Sequence, residues 1–550
     1  MDISQTSDAW WKNAIFYCLD VETFRDGNGD GTGDFQGLTD RIDYLAGLGV
    51  TCIWLMPFYP TANRDDGYDI TDYYAVDPRY GSLGDFVEFL RTAQDRGIRV
   101  IADLVVNHTS AEHPWFKASR SSKDSPYRDW YVWRDSVPEG ASEGLVFPDK
   151  ENSKWELDRA TRQYYLHRFY KHQPDLNVVN PAVRDEIRKI VGFWLELGLS
   201  GFRVDAVPFL LETEGIVQPM EVEPHDWLRN LRGFLGRRRG DAVLLGEVNL
   251  DYEGVRTFYG DGSGDELHMC LNFNLNQAFA LALVRQDAGG LIHNLRAMPT
   301  LPKDAAWANF VRNHDEWSLD KLTEAERQEV FRAFGPKPDM QLFGRGLRRR
   351  LPTMLDGDQA RLRMAYSLMF ALPGAPVLFY GEEIGMAENL EIEGRMSVRS
   401  LMQWSDQPNG GFSEAAAETL CRPLLKAKKW GPSSISVRAQ ERDPDSLLAW
   451  MERLIRRRRE MPEIAFGEWS LLPVADPAVL ALNYAWGDRR SILLHNLSPD
   501  RKAFTVQLGQ VPDRSVLVDR LGSEDIALQK DGTAALSLDG FGCRWLSVLS

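Results

Sequence analysis

The chain has 550 residues, 43% of them hydrophobic, with 64 basic and 80 acidic side chains and a net charge of −16. That length and apolar share allow large buried cores in roughly three structural units. The acidic balance excludes a nucleic-acid footprint, which needs a basic face, and no apolar run reaches the roughly 18 residues of a membrane span.

The N-terminal stretch MDISQTSDAWWKNAIFY lacks a basic region followed by an apolar one, so no secretory signal is expected. Five cysteines, Cys18, Cys52, Cys270, Cys421 and Cys543, are widely spaced and form no C-x-x-C pair. They read as reduced thiols in a cytoplasmic protein. The runs Arg348-Arg349-Arg350 and Arg456-Arg457-Arg458-Arg459 read as solvated helix faces or ion-pair sites.

Strand-like runs at 15–24, 52–57, 100–106, 201–207, 243–248, 269–273, 307–312 and 376–380 alternate with amphipathic patterns such as 83–95 and 182–197. This is the βα alternation of a parallel (β/α)8 barrel. Between the first and second runs lies Asp26-Gly-Asn28-Gly-Asp30-Gly-Thr32-Gly-Asp34. Oxygen ligands at alternate positions, with Gly31 at the turn, mimic the start of an EF-hand loop. The closing Glu is absent, so the reading is a calcium or magnesium loop of another kind, against a plain Gly/Asp loop.

The third run ends in Asn107-His108, and a long segment, 108–178, follows it before the fourth. A structureless loop of that length is rare, so it should be an inserted lobe. The fourth run, Gly201-Phe202-Arg203-Val204-Asp205, sets an Arg and an Asp two residues apart, on the same side of a strand. The Arg can orient the carboxylate and keep it ionised, as a glycosidase nucleophile requires. The fifth run ends in Glu247 and the seventh in His314-Asp315. All these polar residues follow their strands, at the C-terminal ends where a barrel of this kind carries its chemistry. From about 463 the pattern changes to short alternating strands at 480–486, 491–495 and 503–507, a C-terminal antiparallel β-sandwich. The expected organisation is 1–107 plus 179–462 as barrel, 108–178 as insertion and 463–550 as β domain.

In their order and content, these four strand ends resemble the signature regions of the α-amylase family of retaining α-glycosidases. Within it the likeness is greatest to the trehalose synthases. Arg64-Asp-Asp-Gly-Tyr-Asp-Ile-Thr-Asp-Tyr73, His172-Gln-Pro-Asp-Leu-Asn177, Gly346-Leu-Arg-Arg-Arg-Leu351 and Met402-Gln-Trp404 carry it. The resemblance implies that Asp205 is the nucleophile, Glu247 the general acid/base, and Asp315 a third carboxylate on the sugar 2- and 3-hydroxyls. It implies that His108 and His314 donate to the same glucose. Asp65 and Arg399 would clamp its non-reducing end as a charged pair, with Tyr68 offering a ring face. Asp65 also reads as a simple turn residue. The insertion would be the lobe that roofs the active site. A structural calcium site would join Asn107, Asp175, the backbone carbonyls of Phe209 and Leu210, and Glu212.

The expected substrate is a small α-glucoside such as maltose or trehalose, with isomerisation of the two as the first reading. Hydrolysis by an α-glucosidase and transfer to another acceptor are the alternatives. Departures from the trehalose-synthase pattern at Gln277-Ala278 and Met396 lie where the second sugar should sit, so the fate of the glucosyl group stays open. A catalytically inactive interaction subunit is the remote alternative, but such relatives lose the carboxylates and carry a membrane helix. A homo-oligomer is allowed but not specified.

Overall fold

The computed structural model describes residues 9–211, 223–512 and 515–549. Eight parallel strands close a barrel: β1 (Phe16–Leu19), β2 (Cys52–Leu55), β3 (Arg99–Leu104), β4 (Gly201–Val204), β5 (Val243–Gly246), β6 (Met269–Leu271), β7 (Ala306–Phe310) and β8 (Ala375–Phe379). They follow one another around the ring in chain order, and β1 pairs with both β2 and β8. Nearly every strand residue is buried, as expected of a parallel sheet covered by helices outside and packed side chains inside.

The apolar runs located all eight strands, but several end sooner than the runs do. The first stops at Leu19 because the Asp20 side chain accepts from the Glu22 N–H and caps the short helix Val21–Phe24. The outer helices carry ordinary start and stop signals. Helix Leu83–Asp95 opens on a Ser82/Asp85 capping box, and helix Pro181–Leu197 opens on Asn180 and closes at left-handed Gly198.

Between β3 and β4 stand the helix Pro114–Ser121 and a three-stranded antiparallel sheet of Trp133–Arg134, Gln163–Leu166 and Trp155–Asp158. This lobe has its own small core of Val132, Ala141, Trp155 and Leu166. After the barrel, a six-stranded and a two-stranded antiparallel sheet share a core that includes Val479, Ile492, Val506, Leu536 and Leu546. All five cysteines are free thiols. Among the described residues no helix is long and apolar enough to cross a membrane.

Candidate active site

Strand register builds the centre of the site. Parallel pairing sets Asp103 of β3 beside Arg203 of β4. Arg203 is fully buried and grips three acids: Asp205 Oδ1 at 2.6 Å, Glu247 Oε2 at 2.7 Å and Asp103 Oδ2 at 3.3 Å. Asp205 and Glu247, from the ends of neighbouring strands, therefore stand one guanidinium apart. The Ala206 N–H also donates to Glu247 Oε2, at 3.1 Å. Asp205 and Glu247 are each held through one oxygen.

Burial pushes Asp205 up to about 6, against the lowering pull of Arg203. It also raises Glu247, again against Arg203, while Asp205 and Asp315 add repulsion. A raised carboxyl suits a group that must donate a proton near neutrality. Asp315 goes the other way. Burial alone would raise it, but His314 and Arg395 together hold it well below the usual carboxylate range.

Asp315 Oδ2 meets His314 Nε2 at 3.0 Å, and Oδ1 takes Arg395 at 2.8 Å and Arg399 at 3.2 Å. Arg395 reaches on to Asp65 Oδ1 at 2.6 Å, while Gln173 donates to Asp65 Oδ2. Tyr68 stacks on His314 with centroids 5.5 Å apart, and its hydroxyl lies 2.5 Å from Asp103 Oδ2. Asp65, Tyr68, His108, Phe169, Asp205, Glu247, Asp315 and Arg395 enclose a pocket. It opens past Phe169, Glu247, Asp315 and Arg395 into a wider chamber. The chamber wall includes Phe147, Asn249, Phe273, Glu316 and Asp320.

Two sequence expectations need correction. Asp65 and Arg399 are not a pair: Arg399 binds Asp66 at 2.6 Å, and Arg395 is the cation on Asp65. The two arginines lie four residues apart on the 3-10 turn Gly394–Val398 and its cap, so each meets a different acid of Asp65-Asp66. His108 points its Nε2 at the Tyr68 carbonyl, 3.0 Å away, so it props the pocket wall besides lining it. Asp103 and Arg395 were absent from the sequence-derived site. The signal for Asp103 was its place one strand over from Arg203, facing the same way.

The metal expectations have different footings. In the Asp26–Asp34 loop, Asp26 accepts from the Gly29 and Gly31 N–H groups, Asn28 from Asp30, Asp30 from Thr32, and Asp34 from Gly27, Asn28 and Gly37. These carboxylates and the Asn28 amide are hard oxygen donors of the type calcium takes, set at alternate positions along one short loop. At the other expected site the Asp175 carboxylate is already ion-paired to Arg168 at 2.6 Å, and Asn107 is buried beside His108. Phe209 and Leu210 lie on helix Val207–Leu211, and Glu212 lies outside the described residues. The one described carboxylate there is neutralised by an arginine, so the described residues do not by themselves fit a cation.

The alpha amylase catalytic-domain profile matches residues 21–333 and 347–467. The chain belongs to the α-amylase family. It is 39% identical over 550 residues to the trehalose synthase of Pimelobacter sp., covering 98% of this chain and 96% of that one. It is 41% identical over 478 residues to the trehalose synthase/amylase TreS of Mycolicibacterium smegmatis, covering 86% and 80%. Among solved structures, the trehalulose synthase MutB of Pseudomonas mesoacidophila superposes with a TM-score of 0.76 at 28% identity, covering 98% of this chain and 99% of that chain. The chain is thus an enzyme of the glycoside hydrolase and transglucosidase kind.

Proposed function

We propose that this enzyme moves a glucosyl unit of a small α-glucoside by double displacement with retention, interconverting maltose and trehalose. The observation that carries the reading is the shape of the pocket. Asp65, Tyr68 and His108 line the pocket alone, whereas Phe169, Glu247, Asp315 and Arg395 also line the larger chamber into which it leads. A blind end takes one terminal glucose, and the chamber takes the group attached to it.

Arg203 engages Asp205 through Oδ1, which leaves Oδ2 to attack the anomeric carbon. Glu247, held through Oε2, protonates the departing oxygen with Oε1. The anomeric carbon–oxygen bond breaks as the bond to Asp205 forms. Glu247 then takes the proton of the incoming hydroxyl, which displaces Asp205. Asp315, kept ionised by His314 and Arg395, accepts from ring hydroxyls as positive charge grows on the sugar. If the released glucose turns over inside the chamber and attacks through its anomeric hydroxyl, maltose becomes trehalose. The 39–41% identity to trehalose synthases supports this outcome.

A second reading is hydrolysis of the same substrates. It is favoured by 31% identity to a probable α-glucosidase of Rhizobium meliloti, over 89% of this chain and 90% of that one. Incubation with maltose and with trehalose, with products followed over time, separates the two. Trehalose from maltose with little free glucose supports isomerisation, and glucose alone refutes it. We propose in addition that calcium occupies the Asp26–Asp34 loop. At Asn107 and Asp175 a calcium ion would need Arg168 to release its partner.

A further inference from the structure

Behind the pocket lies a second ionic assembly that the chemistry above does not use. One oxygen each of Asp20, Glu22 and Asp66 lies within 4.8 Å of the others. Asp20 and Glu22 are buried, and the Asp66 side chain is only 4% exposed. Three carboxylates so close repel strongly out of water. Arg422 supplies a cation from far along the chain: its Nη2 binds Glu22 Oε2 at 2.8 Å and also contacts Asp66 Oδ1.

Arg422 sits on a strap, residues 401–436, built only of short 3-10 turns and loops. The strap is tied to the loop that follows β1. Ser413 Oγ donates to Asp26 Oδ2 at 2.5 Å, Asp26 N to the Phe412 carbonyl at 3.1 Å, and Cys421 N to the Gly31 carbonyl at 2.9 Å. Asp66 faces both ways. Its Oδ2 takes Arg399 at 2.6 Å, and Arg399 holds the His314 carbonyl at 2.8 Å and Asp315 Oδ1 at 3.2 Å. A line of alternating charge, Glu22–Arg422–Asp66–Arg399–Asp315, therefore runs from the strap to the sugar-facing carboxylate.

We propose that Arg422 is a positioning residue for substrate binding: by fixing Asp66 it sets where Arg399 and Asp315 stand against the glucosyl ring. The proposal rests on the reading of the pocket as a glucosyl site. Without Arg422, Asp66 keeps one cation, Arg399, beside Asp20 and Glu22, the latter still paired to Arg79 at 2.8 Å. Arg399 is then drawn toward Asp66, and its hold on Asp315, the longest of these three contacts, loosens.

Arg422→Met alone leaves three buried acids, so the test variant pairs it with Glu22→Gln, which keeps the charge of the cluster unchanged. The expected result is a KM for maltose raised about tenfold, with kcat altered by less than about threefold. Arg422→Lys restores a charge on a shorter arm and should fall between this variant and the wild type. A folded double variant with a lower melting temperature but unchanged KM would overturn the proposal and leave Arg422 as a strap anchor. If the double variant does not fold, Arg422→Lys decides: a KM raised about threefold supports the proposal, and an unchanged one overturns it. A wild type inactive on every small α-glucoside would instead overturn the functional reading beneath it.

Discussion

Asp205 is pulled in two directions, and the outcome sets the working pH of the enzyme. Its enclosure favours the protonated form, and Arg203 favours the anion. Enclosure wins because the one guanidinium is shared with Glu247 and Asp103, so its charge is divided among three acids. The nucleophile must be ionised, so kcat/KM should fall as the pH drops through about 6. The folded value lies above the unfolded one of about 3.9, so the unfolded chain releases its proton first as the pH rises. Stability is therefore lost as the pH climbs from about 4 through about 6, and the cost is fully present above that. Asp205→Asn should lose at least about a thousandfold in turnover. Its melting temperature relative to wild type should improve between pH 4.5 and pH 8, and a relative decline would contradict the assignment. The three catalytic acids were legible because each closes an apolar run. Arg395 was not, because its partners Asp65 and Asp315 reach it from other βα loops only once the barrel closes.

At the scale of elements, a parallel barrel writes itself plainly into a sequence. Each strand is buried on both faces, so it reads as an unbroken apolar run, and all eight were found at or within a few residues of their bounds. The strap 401–436 was not legible, since it has neither helical nor strand period and is held by side chains distant in sequence. One residue of the loop it grips shows how tightly. Gly31 has φ +98, and a Cβ there would stand 2.4 Å from the Thr419 carbonyl oxygen. Gly31→Ala must both strain its backbone and push the strap away. We expect a loss of about 1–3 kcal/mol in denaturant unfolding. If calcium sits in the same loop, added calcium should raise the melting temperature of the wild type more than that of this variant. An Ala variant as stable as wild type would show that the strap yields freely there.

Taken whole, the molecule is a barrel completed by segments outside its strands and outer helices: the lobe between β3 and β4, the turn carrying Arg395 and Arg399, and the strap. Composition set the size and acidic charge of the chain, and motif order gave the family. Neither fixed the acceptor, because the chamber wall is assembled from loops such as those bearing Phe147, Asn249 and Asp320. What every step requires is a glucosyl–enzyme bond on Asp205. That bond can be trapped with a fluorinated glucosyl fluoride, which slows the second displacement more than the first, followed by digestion and peptide mass spectrometry. One added fluoroglucosyl unit is expected on the peptide that contains Asp205, absent from the Asp205→Asn variant. Label on a different carboxylate, or steady turnover of the reagent with no labelled peptide, would contradict it.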